Sequence, residues 1–125
     1  MRDDAVYLHY IAESIDLVEQ YVAGADGSPD QSLFEHDPRT QDAVLRRMET
    51  LADAASHLSD GLKGRHLQIE WRQIADFRNV LAHGYADIRL DRVWRAIVAD
   101  LPALNAVVHE ELGTPRSGTV DQNRE

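Results

Sequence analysis

Apolar positions recur at steps of three and four through most of the chain, the period of a helix with one buried face. Leu8, Ile11, Ile15, Val18 and Val22 form the first such stripe, with Glu13, Asp16, Glu19 and Gln20 on other faces. This predicts an amphipathic helix over about residues 4–23, capped by Asp3 or Asp4 and ended by Gly24, Gly27 and Pro29. Tyr7, Tyr10 and Tyr21 widen its apolar face, which suits a broader core face or a partner surface equally well. Ser28-Pro29-Asp30-Gln31 reads as a capping box with proline at the first helical position, opening a short turn that carries Leu33 and Phe34. Asp37-Pro38 repeats the cap-then-proline signal. Val44, Met48, Leu51, Ala55 and Leu58 then predict a helix over about 38–60, closed by Gly61, with Gly64 loosening the connection. Trp71, Ile74, Phe77 and Leu81 make a third buried stripe over about 67–83, stopped by Gly84.

After a connector from Tyr85 to Leu90, Asp91 can cap a last helix whose stripe is Trp94, Ile97, Leu101, Leu104 and Val108. Pro102 lies inside that pattern and predicts a kink or break near Asp100–Leu101, because proline lacks the amide donor and crowds the preceding turn. The polar segment 113–125, with Pro115 and Gly118, is expected to be a disordered tail. No stretch alternates at period two over a strand's length. The expected fold is all-α, an up-and-down bundle of four main helices plus a short extra helix, in a single domain over residues 1–112.

Composition changes this picture little. The chain has 125 residues, enough for one domain, and no cysteine, which excludes disulfides and thiol chemistry. No apolar run approaches a membrane span, and Met1-Arg2-Asp3-Asp4 does not open a signal peptide, so a soluble cytoplasmic protein is expected. Charge changes it more. The net charge of −9 disfavours nucleic-acid binding taken as a whole. Yet residues 63–95 hold seven cationic side chains against four acidic ones, while the remainder holds six against eighteen. Positive charge therefore gathers around the third stripe, and a local patch matters more to a phosphate than the total. Solvation of helix faces would account for Arg89, Arg92 and Arg95 just as well.

The end of the third helix, Arg78-Asn79-Val80-Leu81-Ala82-His83-Gly84-Tyr85, collects a guanidinium, an amide, an imidazole and a phenol. Asn79 and His83 are four apart and share a face. Arg78 stands about 140° round the helix from His83, and its long side chain can still reach back toward the imidazole. Arginine offers a planar fork of donors to phosphate oxygens, and histidine moves protons near neutral pH. Cations also gather at helix C-termini simply because they complement the dipole there. The six histidines show no metal-ligand spacing, and His109-Glu110-Glu111 lacks a second histidine, so no metal site or cofactor is expected. Trp71 and Trp94 could stack on bases, but their stripe positions favour the core. Glu70, Asp76 and Asp87 flank the motif, and any one of them could orient His83.

Arg78-Asn79-x-x-x-His83-x-Tyr85 resembles the R-x4-H-x-Y motif of the HEPN superfamily, and more narrowly that of the HepT toxins of HepT/MntA toxin–antitoxin systems. The flanks agree: Trp71 and Phe77 before the motif, then Ile88, Val93-Trp94, Ile97-Val98 and Asp100-Leu101-Pro102 after it. The resemblance is clearest over about residues 66–108. It implies an all-helical homodimer whose two motifs face each other. It also implies a metal-independent endoribonuclease acting on transfer or messenger RNA, with His83 as general base or acid and Arg78 holding the phosphate. Asn79 would orient the phosphate or the histidine. It further implies a minimal nucleotidyltransferase antitoxin of the MntA type that adds AMP to the motif tyrosine, here Tyr85. Some HEPN proteins are instead non-catalytic nucleotide- or substrate-binding partners of nucleotidyltransferases, and in that alternative the Arg–His pair binds without cleaving.

Overall fold

A computed structural model describes residues 3–83 and 88–114, with His83 described by its backbone alone. Among these residues the regular structure is helical, apart from one isolated antiparallel bridge between Ala23 and Pro29. Helix α1 spans Asp4–Tyr21, α2 Gln31–His36, α3 Pro38–Ser56, α4 Asp60–Arg65 and α5 Trp71–His83. Helix α6, Leu90–Arg95, runs through a π-helical turn, Ala96–Asp100, into α7, Leu101–Leu112. The all-α bundle is thus as the periodicity predicts.

Helix α1 packs on α3 and α7, and α5 packs on α3. The predicted stripes of α1 and α3 are fully internal: Leu8, Ile11, Ile15, Val18 and Val22 meet Val44, Met48, Leu51, Ala55 and Leu58 in one core. Ile97, Leu101, Leu104 and Val108 close it from the other side. Phe34 on α2 is completely buried and stacks on Trp94, ring centroids 5.7 Å apart. That single plug explains why a six-residue helix is worth keeping. Tyr7 and Tyr21 pack against the core, whereas Tyr10 is 54% exposed.

The ends of the elements follow their capping chemistry, with several departures from expectation. Asp3 caps α1 by accepting from the Ala5 amide, while Asp4 crosses to the Ser59 amide (2.9 Å) and hydroxyl (2.7 Å). Asp30, not Ser28, caps α2, accepting from the Leu33 amide at 3.0 Å. Ser28 is withdrawn because its amide and hydroxyl both bond Asp26, in a tight loop where Gly27 adopts φ +86°. Asp37 caps α3 with Pro38 in the first turn, as the sequence signals.

Helix α3 stops at Ser56 and not near residue 60. The His57 and Leu58 amides tighten the end onto the Ala54 and Ala55 carbonyls. Ser59 then caps the unanticipated helix α4, accepting from the Leu62 amide, so Gly61 and Gly64 lie within a helix and terminate nothing. Helix α5 begins at Trp71, four residues later than the stripe implies. The intervening backbone turns through His66 and Ile69, and the Trp71 indole donates to the carbonyls of Lys63 (3.2 Å) and His66 (3.0 Å) at the end of α4.

Arg89 stands at the cap of α6, and Asp91 lies in the first turn, where it accepts from Arg89 at 3.0 Å. Pro102 produces the predicted disturbance as a π turn: the Leu101 amide reaches back five residues to the Ala96 carbonyl. This widening lets the helix pass a residue that cannot donate. Gly113, at φ +71°, closes α7 in the left-handed conformation that favours glycine. The expected tail from residue 115 onward lies outside the described residues, as do Gly84 to Asp87 and with them Tyr85.

Candidate active site

Helix α5 carries the motif on a largely exposed surface. Leu81 is fully buried and anchors the helix. Trp71, Ile74 and Phe77, expected to be internal, are only half-buried against the core. Val80, between Asn79 and Leu81, is 44% exposed. The reason is position: α5 packs on α3 along one side, and its other side is left uncovered by the described residues. Beside it runs an apolar groove of about 250 Å³, walled by Met48, Leu51, Ile74, Phe77 and Leu104, with Arg92 among the charged groups lining it.

Arg78 and Asn79 are both exposed, and His83 is the last residue of α5. Five residues along a helix rise by about 7.5 Å, so the backbone holds the Arg78 and His83 positions about one and a third turns apart. The Arg78 guanidinium donates through Nε to Asp53 Oδ1 on α3 at 3.1 Å, so its hydrogen bond goes to the neighbouring helix and not along its own. The other Asp53 oxygen lies 4.0 Å from His57 Nε2, and the His57 ring stacks on Tyr7 of α1, centroids 5.0 Å apart. Asp53 is the motif arginine's partner, and sequence reasoning missed it. Its spacing to His57 was readable, but its partner across the α3–α5 packing was not. Neither Glu70 nor Asp76 makes this contact, and Asp87 lies outside the described residues.

A second polar cluster ties α4 to α7. His66, 5% exposed, places Nε2 2.5 Å from Glu111 Oε2 and 3.6 Å from Glu110. Arg65 donates to both Glu111 oxygens, at 2.8 and 3.2 Å. The Arg65 hydrogen bonds, followed by that of His66, hold the Glu111 carboxyl down to about 2. Glu111 is therefore ionised at neutral pH and acts only as an acceptor, which fixes the proton of His66 on Nε2. The His109-Glu110-Glu111 segment thus does meet a histidine, brought from α4 by the fold. His66, Glu110 and Glu111 are grouped closely enough to ligate a cation, but the Arg65 fork already occupies both Glu111 oxygens. As it stands the cluster is a clamp between helices.

Trp71 and Trp94 serve the core: one indole seals the end of α4, the other stacks on buried Phe34. Neither is presented as a platform for bases.

A helical bundle that carries Arg-x4-His at the end of an exposed helix defines a domain of HEPN type. A family model described as "Ribonuclease HepT-like" matches residues 11–111, and the chain belongs to that family. It is 32% identical over 106 residues to the "Probable ribonuclease HepT" of Thermococcus cleftensis, covering 82% of this chain and 90% of the relative. It is also 32% identical over 103 residues to a protein of Methanocaldococcus jannaschii named "Gamma-glutamylcyclotransferase and putative RNase MJ0434". That match covers 82% of this chain but 45% of the longer relative. A third relative, "Putative RNase TTE0752" of Caldanaerobacter subterraneus, is 26% identical over 90% of this chain and 96% of its own length. No solved structure matches the chain.

Proposed function

We propose that this chain is a toxin of the HepT type, a metal-independent endoribonuclease acting on transfer or messenger RNA in the cytoplasm. The observation that carries the reading is a family match over residues 11–111 on a chain whose Arg78, His83 and Tyr85 keep every position of the R-x4-H-x-Y motif. RNA brings its own nucleophile, the 2′-hydroxyl. His83 takes the proton of that hydroxyl or returns one to the leaving 5′-oxygen. Arg78 binds the scissile phosphate and stabilises the charge it gains at the transition state. Asn79, on the His83 face of the helix, orients the phosphate or the imidazole. The products are a 2′,3′-cyclic phosphate and a 5′-hydroxyl.

In this reading two copies pair so that their motifs share one cleft. The uncovered side of α5, with exposed Val80 and half-buried Ile74 and Phe77 beside the groove, supports such pairing. The proposed partner is a minimal nucleotidyltransferase of the MntA type that adds AMP to Tyr85. Phosphates added next to Arg78 and His83 would neutralise the patch and exclude RNA. Among the described residues no helix is long and apolar enough to cross a membrane.

The test is induction of the wild type, His83→Ala and Arg78→Ala without any nucleotidyltransferase, with total RNA resolved on a gel. Growth arrest with RNA degradation in the wild type alone supports the reading. Intact RNA and normal growth with the wild type would leave the non-catalytic binding partner as the better description. Co-expression with the cognate nucleotidyltransferase should restore growth and add the mass of AMP to the wild type but not to Tyr85→Phe.

A further inference from the structure

We propose that Asp53 is a positioning residue for the motif, holding the Arg78 guanidinium by its inner nitrogen so that its outer fork faces the substrate phosphate. The inference rests on the ribonuclease reading of Arg78 and His83. The contact uses Nε, at 3.1 Å from Asp53 Oδ1. It leaves the four protons on Nη1 and Nη2 unspent by Asp53, and those two nitrogens can grip a phosphate side by side. An arginine on an exposed helix otherwise samples many rotamers, and immobilising it before RNA arrives lowers the cost of binding the phosphate in a reactive geometry.

The carboxylate is itself braced. His57 Nε2 stands 4.0 Å from the second oxygen, Oδ2, and the His57 ring stacks on Tyr7. A line of contacts thus runs from α1 through α3 to the motif helix. Stability does not explain it. The Asp53 and Arg78 side chains are 50% and 44% exposed, and ion pairs so exposed add little to a fold.

Two opposite effects make the proposal testable. Asp53 places a negative charge beside a phosphate-binding group, so charge alone predicts that Asp53→Ala tightens RNA binding and speeds cleavage. Positioning predicts the reverse for kcat. In steady-state cleavage of a defined RNA by the full chain, Asp53→Ala should lower kcat about tenfold with KM unchanged or lower. Asp53→Asn, which keeps an oxygen acceptor for Nε, should recover most of that loss. In an Arg78→Ala background, Asp53→Ala should have no further effect. An unchanged or raised kcat in Asp53→Ala would overturn the proposal, and so would a loss that adds in full to that of Arg78→Ala.

A readout independent of activity separates this proposal from the ribonuclease reading. The Arg78 Nε–H resonance should be shifted and slow to exchange in the wild type, and should move to the position of solvated arginines in Asp53→Ala. If the wild type cleaves no RNA, the catalytic reading falls and the resonance alone decides whether Asp53 holds Arg78. A solvated position already in the wild type overturns the proposal whatever the activity.

Discussion

Replacing Glu111 by glutamine tests whether the clamp between α4 and α7 is electrostatic, and the structure supplies the magnitude. Two arms meet on this carboxylate. The Arg65 arm is bidentate, but the arginine side chain is 59% exposed, so solvent screens it and it adds little. The His66 arm decides the outcome, because that side chain is 6% exposed and its Nε2 proton faces Glu111 at 2.5 Å. Glutamine keeps an acceptor of the same reach, so the change converts a charge-assisted bond of about 1.5–3 kcal/mol into a neutral one of about 0.5–1.5 kcal/mol. The sum is a loss of about 1–2 kcal/mol at pH 7, or roughly 4–8 °C in Tm for a domain of this size. The sign with pH follows from the depressed carboxyl, held at about 2 against an ordinary value of 4.5. Its stabilisation is fully present above about pH 4.5 and is lost as pH falls toward 2, so most of the gap between wild type and Glu111→Gln should have gone by about pH 3. The assay is urea unfolding followed by circular dichroism at pH 7, 5, 4 and 3. Equal midpoints at pH 7, or a gap as wide at pH 3 as at pH 7, would refute the reasoning.

Leu81→Ala should destabilise the fold by about 2–5 kcal/mol, because it removes the fully buried anchor of the motif helix; thermal melting measures it, and a cost below about 1 kcal/mol would mean that α5 is held elsewhere. Asp37→Ala removes the cap of α3 and should lower Tm in the same melts, and an unchanged Tm would contradict the capping role. Because both indoles pack inward, Trp94→Phe should weaken RNA binding less than twofold while lowering Tm, and a large loss of RNA affinity with Tm unchanged would contradict the core assignment.

The bundle was legible because its stripes are regular. All five positions of the first predicted stripe and all five of the second are buried as their spacing requires. Pro102 announced the π turn for a reason that is local to the backbone. Failures came where local signals compete. Ser28 and Asp30 both suit a cap, and only the Asp26 hydrogen bonds, set by a loop closing on Gly27, remove Ser28 from contention. Gly61 looked like a terminator, but Ser59 two residues earlier was already capping a new helix.

The motif itself was legible as a sequence pattern, and its flanks carried the resemblance. Its surroundings were not. Asp53 lies 25 residues from Arg78, and Glu111 lies 45 from His66. Only the packing of α5 on α3, and of α4 near the end of α7, brings those partners together. The half-exposure of Trp71, Ile74 and Phe77 was equally hidden, since a stripe shows which face is apolar but not whether the same chain covers it.

The most direct test of the catalytic account is cleavage of purified transfer RNA by the purified chain in excess EDTA, with analysis of the product ends. The account predicts fragments bearing 2′,3′-cyclic phosphate and 5′-hydroxyl ends from the wild type. It predicts a loss of at least about 100-fold in rate for His83→Ala, the scale expected on removing a general acid or base. Cleavage that vanishes with EDTA, fragments with 5′-phosphate ends, or a His83→Ala protein as active as the wild type would contradict it.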